Sequence, residues 1–574
     1  MIQTQANTQE WQVLMTDINT DSQNCQSIAQ QFAQQLQLDF SAYKNGQKIS
    51  SCANWAPHLY TLIDKQTQLA HQIAILLYPT DNQEDIVSSI VIETVNNKIR
   101  RYILYRRLIV NLRRAYRQQT EIKPIPKVFT PYQQARLTGD REIYYQLQQI
   151  EEIPDVILNP KPMPVDVAPL QELLPFFDFL QSNQPVIDYE NESLSFMRGT
   201  QFSDGRMDLC KQVVGEPWIG QLMDSLVNNQ HIKHFLLGNN IVDTVGAKAI
   251  ANFISNPHQN QIETWYLAGN RINAQGIELI GKALQTDQHC KALWLKRNPI
   301  KAMGSKHLGN LLKHNQYLEI LDLDNTGLLD EGMADLFDGL KHNRSLDLLY
   351  LEANGITSRG AKHIADYFDH LTKLQQTGIS SLYCGINRLG DEGIAMIAES
   401  LQDYHHLKRL SFSSNRLAYQ GLKILLERLE NHSNLIYLNL GLYKSTSDMH
   451  ELPNNFGDES VPLLANFIET NNNVQIMSFR DANISLEGLE QLAEAIQSNH
   501  HLLMLDYEQL GLKKPQTLID KINNKLAENI HNTYGVSMNT FRLQHLRYLK
   551  HTEAVHHIDS IYRNKNNSCQ LNHA

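Results

Sequence analysis

The sequence predicts an α/β solenoid across residues 205–515, with short parallel strands inside and helices outside. Three observations predict it. One polar position recurs as Gln212, Asn240, Asn270, Asn298, Thr326, Asn354, Asn387, Asn415, Tyr443, Ala482 and Leu510, in steps of 28 residues broken by three of 30, 33 and 39. Apolar residues stand at fixed offsets before it, such as Ile262, Trp265 and Leu267 before Asn270, and Leu346, Leu349 and Leu351 before Asn354. Glycine follows it by 6 residues, at Gly246, Gly276, Gly304, Gly332, Gly360, Gly393, Gly421 and Gly488.

Each part of the unit has a physical reading. Alternation such as Trp265-Tyr266-Leu267 is the period of a strand, with Trp265 and Leu267 turned into the core. The asparagine suits a turn, where its amide can serve backbone groups that the strand leaves unpaired. After the glycine the period becomes helical, since Gly360, Ile364, Ala365 and Phe368 fall on one face. A small residue five positions past the glycine, as at Ala251, Gly281, Gly309, Ala365, Ala398 and Ala493, lets the helix approach the strand layer; Phe337 and Leu426 are exceptions.

The recurring L-x-x-L-x-L-x-x-N-x-I/L pattern, followed by G-A-x-x-I/L-A, resembles the leucine-rich repeat family in its ribonuclease-inhibitor-like class. The segments GAKAIA at 246–251 and GAKHIA at 360–365 are similar to the GALA repeats of bacterial effectors. The resemblance implies a horseshoe. It leaves function open, because the family includes inhibitors, immune sensors, GTPase regulators and ubiquitin-ligase adaptors.

The flanks divide the chain further. Residues 1–120 are expected to form a helical domain, with helices at 23–37, 55–77 and 84–97 and a turn at 78–82. Its strongest signal is a basic amphipathic helix at 98–117, where Leu104, Leu108, Ile109 and Leu112 oppose Arg100, Arg106, Arg107, Arg113, Arg114 and Arg117. That face could be solvated, contact a protein (including this chain's own horseshoe, as an inhibitory plug), or meet lipid or nucleic acid. Residues 121–185 read as a proline-rich linker with one short helix at 132–150. Within it, PLQELLPFFDFL at 169–180 resembles the start of an F-box, with Pro175 expected to break the helix; the plainer reading is an apolar cap. The solenoid with its caps takes 186–526, and 527–574 form a helical extension, amphipathic over 543–562, and a polar tail.

Composition narrows the function classes. A net charge of −10 argues against nucleic acid as a specific partner. Neither a secretion signal nor an apolar run of membrane-spanning length is present, so a cytoplasmic location is expected, with export by another system left open. The 6 cysteines are scattered, without C-x-x-C or zinc-finger spacing. Phosphate-loop, nucleophile-elbow and H-E-x-x-H motifs are absent, and the reading is non-catalytic, without cofactor or metal. Asp448, His450 and Glu451 carry metal-binding atoms but are expected to be solvated in an insertion at 444–457.

The candidate site is a column of side chains four residues before each asparagine position: Asp208, Leu236, Tyr266, Trp294, Asp322, Tyr350, Tyr383, Ser411, Asn439, Ser478 and Asp506. Tyr266, Trp294, Tyr350 and Tyr383 fall close together on a face that needs no aromatics for stability, and Asp322, Asp324 and Glu352 stand among them. Aromatics among charges are typical of interface hot spots, and carboxylates suit a partner with a basic or apolar contact surface. The expectation is a protein-interaction scaffold. The alternatives are an exported effector acting as a ligase adaptor through 169–180, or a GTPase regulator.

Overall fold

The computed structural model describes residues 152–564, apart from 163–165, 187–192, 257–259, 447 and 510–511, together with strands nearer the N-terminus. Contacts divide the chain into two units, Met1–Leu147 and Gln148–Ala574.

The first unit contains an antiparallel sheet. Its strands are Gln12–Leu14, Asp39–Ser41, Gln47–Lys48, His58–Ile63, Ala70–Pro79 and Asp85–Thr94. The helices expected at 55–77 and 84–97 are therefore strands. Their residues explain why: Ile73, Ile75, Ile86, Val87, Ile90, Val91 and Ile92 are β-branched, and such side chains favour the pleated backbone over the helix. The turn expected at 78–82 begins too early, since Tyr78 and Pro79 still pair with Ile86 and Asp85 in the ladder that runs from His71↔Thr94 to Pro79↔Asp85, and 80–82 lie outside the described residues. The segments 23–37, 98–117 and 132–150 lie outside the described residues.

The second unit is a repeat solenoid built on one 13-stranded sheet running from Ser193–Ser195 to Met504–Asp506, with each strand beside its neighbour in sequence. The first three strands form antiparallel pairs and every later pairing is parallel. Helices alternate with the parallel strands and cover one face of the sheet. Into that layer point Trp265, Leu293, Leu321, Leu349, Leu382 and Leu410, all fully buried. At Gly309 the small residue serves a different contact from the one expected. A Cβ on Gly309 would stand 2.1 Å from the Asp335 carbonyl oxygen, so smallness there lets adjacent helices, rather than helix and strand, approach.

The asparagines form a ladder. Asn298 donates from Nδ2 to the carbonyls of Leu267 (2.9 Å) and Leu295 (2.8 Å), and its Oδ1 accepts from the Ile272 amide at 3.0 Å. Asn240, Asn270, Asn354, Asn387 and Asn415 make equivalent links between repeats. Two assignments need correction. In the repeat given to Tyr443, the rung is Asn454, which accepts from the Asn415 amide (2.7 Å) and donates to Phe412 and Leu440, so the insertion precedes the ladder residue. At the last rung Gln509, not Leu510, accepts from Ile484 and donates to Phe479. A second ladder, unnoticed in the sequence, follows the helices: Asn315, Asn343, Asn499 and Asn529 each donate to carbonyls of the preceding repeat.

Both ends are capped. Helix Leu170–Gln181 buries Leu173, Phe176, Phe177 and Leu180 against the first repeat. Pro175 does not break it, because it lies on the exposed side, where the carbonyl left without a donor can meet water. The apolar side chains that an F-box would offer a ligase subunit are thus buried in the cap. Nor is the linker wholly free. The Glu152 carbonyl accepts from Arg388 (2.7 Å), the Val156 carbonyl from Asn325 (3.0 Å), and Ile157 is fully buried. At the other end, helix Gln516–Tyr534 runs through the expected boundary at 526 and places Leu518, Ile522 and Leu526 in the core. The single amphipathic element expected over 543–562 is instead a chain of short pieces: Met538–Gln544, Leu546–Lys550, the 3-10 turn Glu553–Ile558 and Ile561–Asn564.

Candidate interaction surface

The predicted column exists as a row across paired strands. Register aligns Leu236↔Tyr266, Tyr266↔Trp294, Trp294↔Asp322, Asp322↔Tyr350, Tyr350↔Tyr383 and Tyr383↔Ser411. It lies on the face opposite the helices, because each residue alternates with a core residue such as Leu349 or Leu382. The aromatics touch one another: Tyr266 and Trp294 have ring centroids 6.4 Å apart, Trp294 and Tyr350 5.6 Å, and Tyr350 and Tyr383 4.4 Å with planes within 7°.

The row is not exposed, however. Tyr266, Trp294, Tyr350 and Tyr383 retain only 3–6% of their accessible surface, since residues 548–562 lie across them. Starting at the strand Arg409–Ser411, the Arg409 guanidinium donates to the carbonyls of Leu549 (2.8 Å) and Tyr548 (3.0 Å). The Tyr383 hydroxyl donates to the Lys550 carbonyl, and the Tyr350 hydroxyl lies 3.1 Å from His551 Nδ1. Val555 and Ile558 join Leu236, Tyr266, Trp294, Ile320, Leu348, Tyr350 and Tyr383 in an apolar cluster separate from the helix-side core. His557 stacks on His234 with centroids 3.9 Å apart. At the far end the Ser560 hydroxyl (3.0 Å) and the Ile561 amide (2.9 Å) donate to the Asp208 carboxylate, Arg206 donates to the Asp559 carbonyl, and the Tyr562 and Thr200 hydroxyls meet at 2.9 Å. This strap crosses from Arg409–Ser411 back to Thr200–Phe202, about 38 Å at the usual spacing between strands.

Burial sets the protonation of its polar groups. Loss of water, reinforced by Lys550, Arg409, Arg547 and Lys444, depresses the His551 imidazole to about 4. Burial and the neighbouring His557 likewise hold His234 at about 4, against weaker support for its charge from Glu263 and Asp204. Asp208 is raised by burial even though three groups donate to it.

The acidic residues were expected to face a partner. They are instead buried and engaged within the chain. Lys296 Nζ meets Asp324 at 2.7 Å, the Asp324 carboxylate accepts from the Glu352 amide (2.8 Å), and Asp322 accepts from the Asp324 amide (2.9 Å). Burial first, and Asp324 next, push Asp322 and Glu352 well above the carboxylate range. Desolvation opposes the charge on Lys296, but Asp324, Tyr443, Asp322 and Glu352 together raise its pKa. Of the loop residues, Glu451 is fully buried, taking Arg388 at 2.6 Å and Arg416 at 3.1 Å, so it ties the insertion to the ladder edge. Among the described residues, no His, Cys, Asp and Glu group has a metal-holding arrangement, and no helix is long and apolar enough to cross a membrane. The arginines Arg100, Arg106, Arg107, Arg113, Arg114 and Arg117 lie outside the described residues.

A family model described as "Leucine Rich repeat" matches residues 314–337, which span the strand Ile320–Asp322 and most of the helix that follows. The chain carries a leucine-rich repeat there. A second model, described as "Domain of unknown function (DUF2828)", matches residues 3–123. No curated protein matches the chain. Among solved structures, leiomodin-1 actin-binding site 2 is similar at 13% identity and a TM-score of 0.19, over 40% of this chain and 86% of that one. A Bacteroides fragilis protein from a structural genomics consortium is similar at 10% identity and a TM-score of 0.22, over 70% of this chain and 95% of that one. Likeness at that level says nothing about what these leucine-rich repeats bind.

The sequence marks 543–562 as amphipathic but does not show that this stretch covers the aromatic row. Val555, Ile558, Ile561 and Tyr562 stand beyond the last repeat and match none of its positions. Apolar residues outside the repeat register were the available signal.

Proposed function

We propose that this leucine-rich repeat chain is a non-catalytic protein-interaction scaffold, whose partner sits on the row Tyr266, Trp294, Tyr350 and Tyr383. In this reading the repeats are of the ribonuclease-inhibitor-like, GALA-like kind and curve into a horseshoe, with the row on the inner side. One observation carries the proposal: the row already packs against a polypeptide, the strap, using stacked rings, an apolar trough and donors aimed at main-chain carbonyls. Large aromatics that bury fully against a peptide are what a binding hot spot requires. The partner is expected to bring apolar side chains and main-chain acceptors. Asp322 stands within the row, and Asp324 and Glu352 stand beside it with Lys296.

Affinity capture followed by binding measurements tests the proposal. A partner recovered with the wild-type chain should lose about tenfold or more in affinity with Trp294→Ala or Tyr350→Ala. Recovery of the same partner at unchanged affinity with all four aromatics replaced by alanine would place its site elsewhere.

A further inference from the structure

The strap fills the open face as a ligand would, but it fills it imperfectly. Its best contacts are those any peptide could make: Arg409 and Tyr383 take the carbonyls of residues 548–550, and Asp208 takes one hydroxyl and one main-chain amide. Main-chain recognition of this sort does not depend on the sequence of the occupant. Its poorest contacts are at Trp294 and at the Lys550 side chain. The Trp294 indole Nε1, 4% exposed as a residue, has no hydrogen-bond partner among the described residues. Lys550 is drawn out of water, which lowers its pKa, with Asp506 giving partial compensation. A buried donor left unmet and a desolvated cation both weaken a bound state relative to a ligand that avoids them.

We infer that the open face is a peptide-binding groove and that residues 548–562 are its internal, displaceable ligand. The competing partner is a linear segment of another protein, laid across the face as the strap is. It would lay carbonyls on Arg409, Tyr383 and the Trp294 indole, aliphatic side chains in the trough of Leu236, Tyr266 and Trp294, and a serine or threonine on Asp208. It would carry no cation where Lys550 lies. This inference rests on the reading of the aromatic row as the partner surface. Tethering gives the strap a high effective concentration, so a partner must exceed its intrinsic affinity or meet a chain whose strap has been loosened.

The test uses the full chain. Val555→Asp with Ile558→Asp puts two carboxylates into the trough from the strap side and leaves the helix-side core untouched. The probe is a fluorescein-labelled synthetic peptide with the wild-type sequence of residues 546–562. The double variant should bind it at least tenfold more tightly than the wild-type chain does. Adding Asp208→Ala or Arg409→Ala should reverse most of that gain. Hydrogen exchange over 546–562 verifies release. A released strap with no gain in peptide binding overturns the inference, because the face then has no affinity for the peptide in trans. A strap that stays protected in the double variant also overturns it, as a fixed part of the fold is not displaceable. Peptide binding with no captured cellular partner would count against the scaffold reading alone. A partner that binds the aromatic row equally with and without the release substitutions would count against the displaceable ligand alone.

Discussion

The Tyr350 ring lies flat on Tyr383, with centroids 4.4 Å apart and planes within 7°, and the two phenols turn to adjacent residues of one segment, His551 and Lys550. A residue pair from neighbouring repeats thus grips two consecutive residues of the strap. The grip is sensitive to protons. His551 faces Tyr350, Tyr383, Arg409, Lys550, Arg547 and Lys444, and His234 faces His557, Thr264, Glu263, Asp204 and Arg206.

Acid should therefore release the strap. Both histidines sit at about 4 when docked and move toward 6.5 when the strap leaves, so the docked state holds its full stability above about 6.5 and loses it as pH falls toward 4. At pH 5.5 the loss is about 1 kcal/mol for each histidine, with His551 discounted for its partial exposure. Asp208 acts in the opposite sense, since its raised pKa favours the protonated docked form. Protection factors over 546–562, with the intrinsic exchange rate at each pH divided out, should fall at least tenfold between pH 7.5 and 5.5, while those of the repeats hold. Equal protection at both values would show that the histidines do not govern docking.

Glu352→Gln should stabilise the fold. Burial and Asp324 hold this carboxyl above its ordinary range, so the folded chain keeps a proton that the unfolded chain gives up, and stability falls as pH rises from about 4.5 upward. A neutral amide removes that dependence. The gain, on the order of 1–2 kcal/mol, should be larger at pH 8 than at pH 6 in thermal unfolding. A lower melting temperature at both pH values would mean that the charge is needed.

Glu451→Ala should destabilise the chain by about 3–5 kcal/mol, because it leaves Arg388, almost fully buried, without its carboxylate. Added proteolysis within 444–453 should accompany the loss, as Glu451 anchors that loop. Unfolding in denaturant at the wild-type midpoint would refute the anchoring role.

Gly309→Val tests the helix contact. Its Cβ would press on the Asp335 carbonyl, and overpacking of this kind costs about 1–3 kcal/mol or more. Val at Gly220, where a Cβ meets nothing within 4 Å, is the control and should be nearly neutral apart from helix propensity. Similar losses at both sites would point to helix propensity, not helix spacing, as the reason for glycine.

The solenoid was legible in the sequence because every turn repeats the same chemistry, so Asn298 or Leu349 could be assigned from its neighbours 28 residues away. Spacing alone could not show on which side of an insertion a rung lies. Tyr443 kept the arithmetic, while Asn454 took the hydrogen bonds. In the first unit, the segments 55–77 and 84–97 were expected as helices, and their β-branched isoleucines and valines sit in strands instead. The aromatic row was legible as a row, but its cover was not. Contacts between 548–562 and strands from Thr200–Phe202 to Arg409–Ser411 have no period to reveal them. Helix 98–117, expected as one occupant of this face, lies outside the described residues; among the described residues the C-terminal segment covers it.

Photocrosslinking from position 350 tests most directly whether the open face holds a polypeptide of this chain. With p-benzoylphenylalanine replacing Tyr350 in the full chain, irradiation and peptide mapping should yield crosslinks to residues 548–558. Crosslinks to 98–117 instead, or none within the chain, would contradict the account.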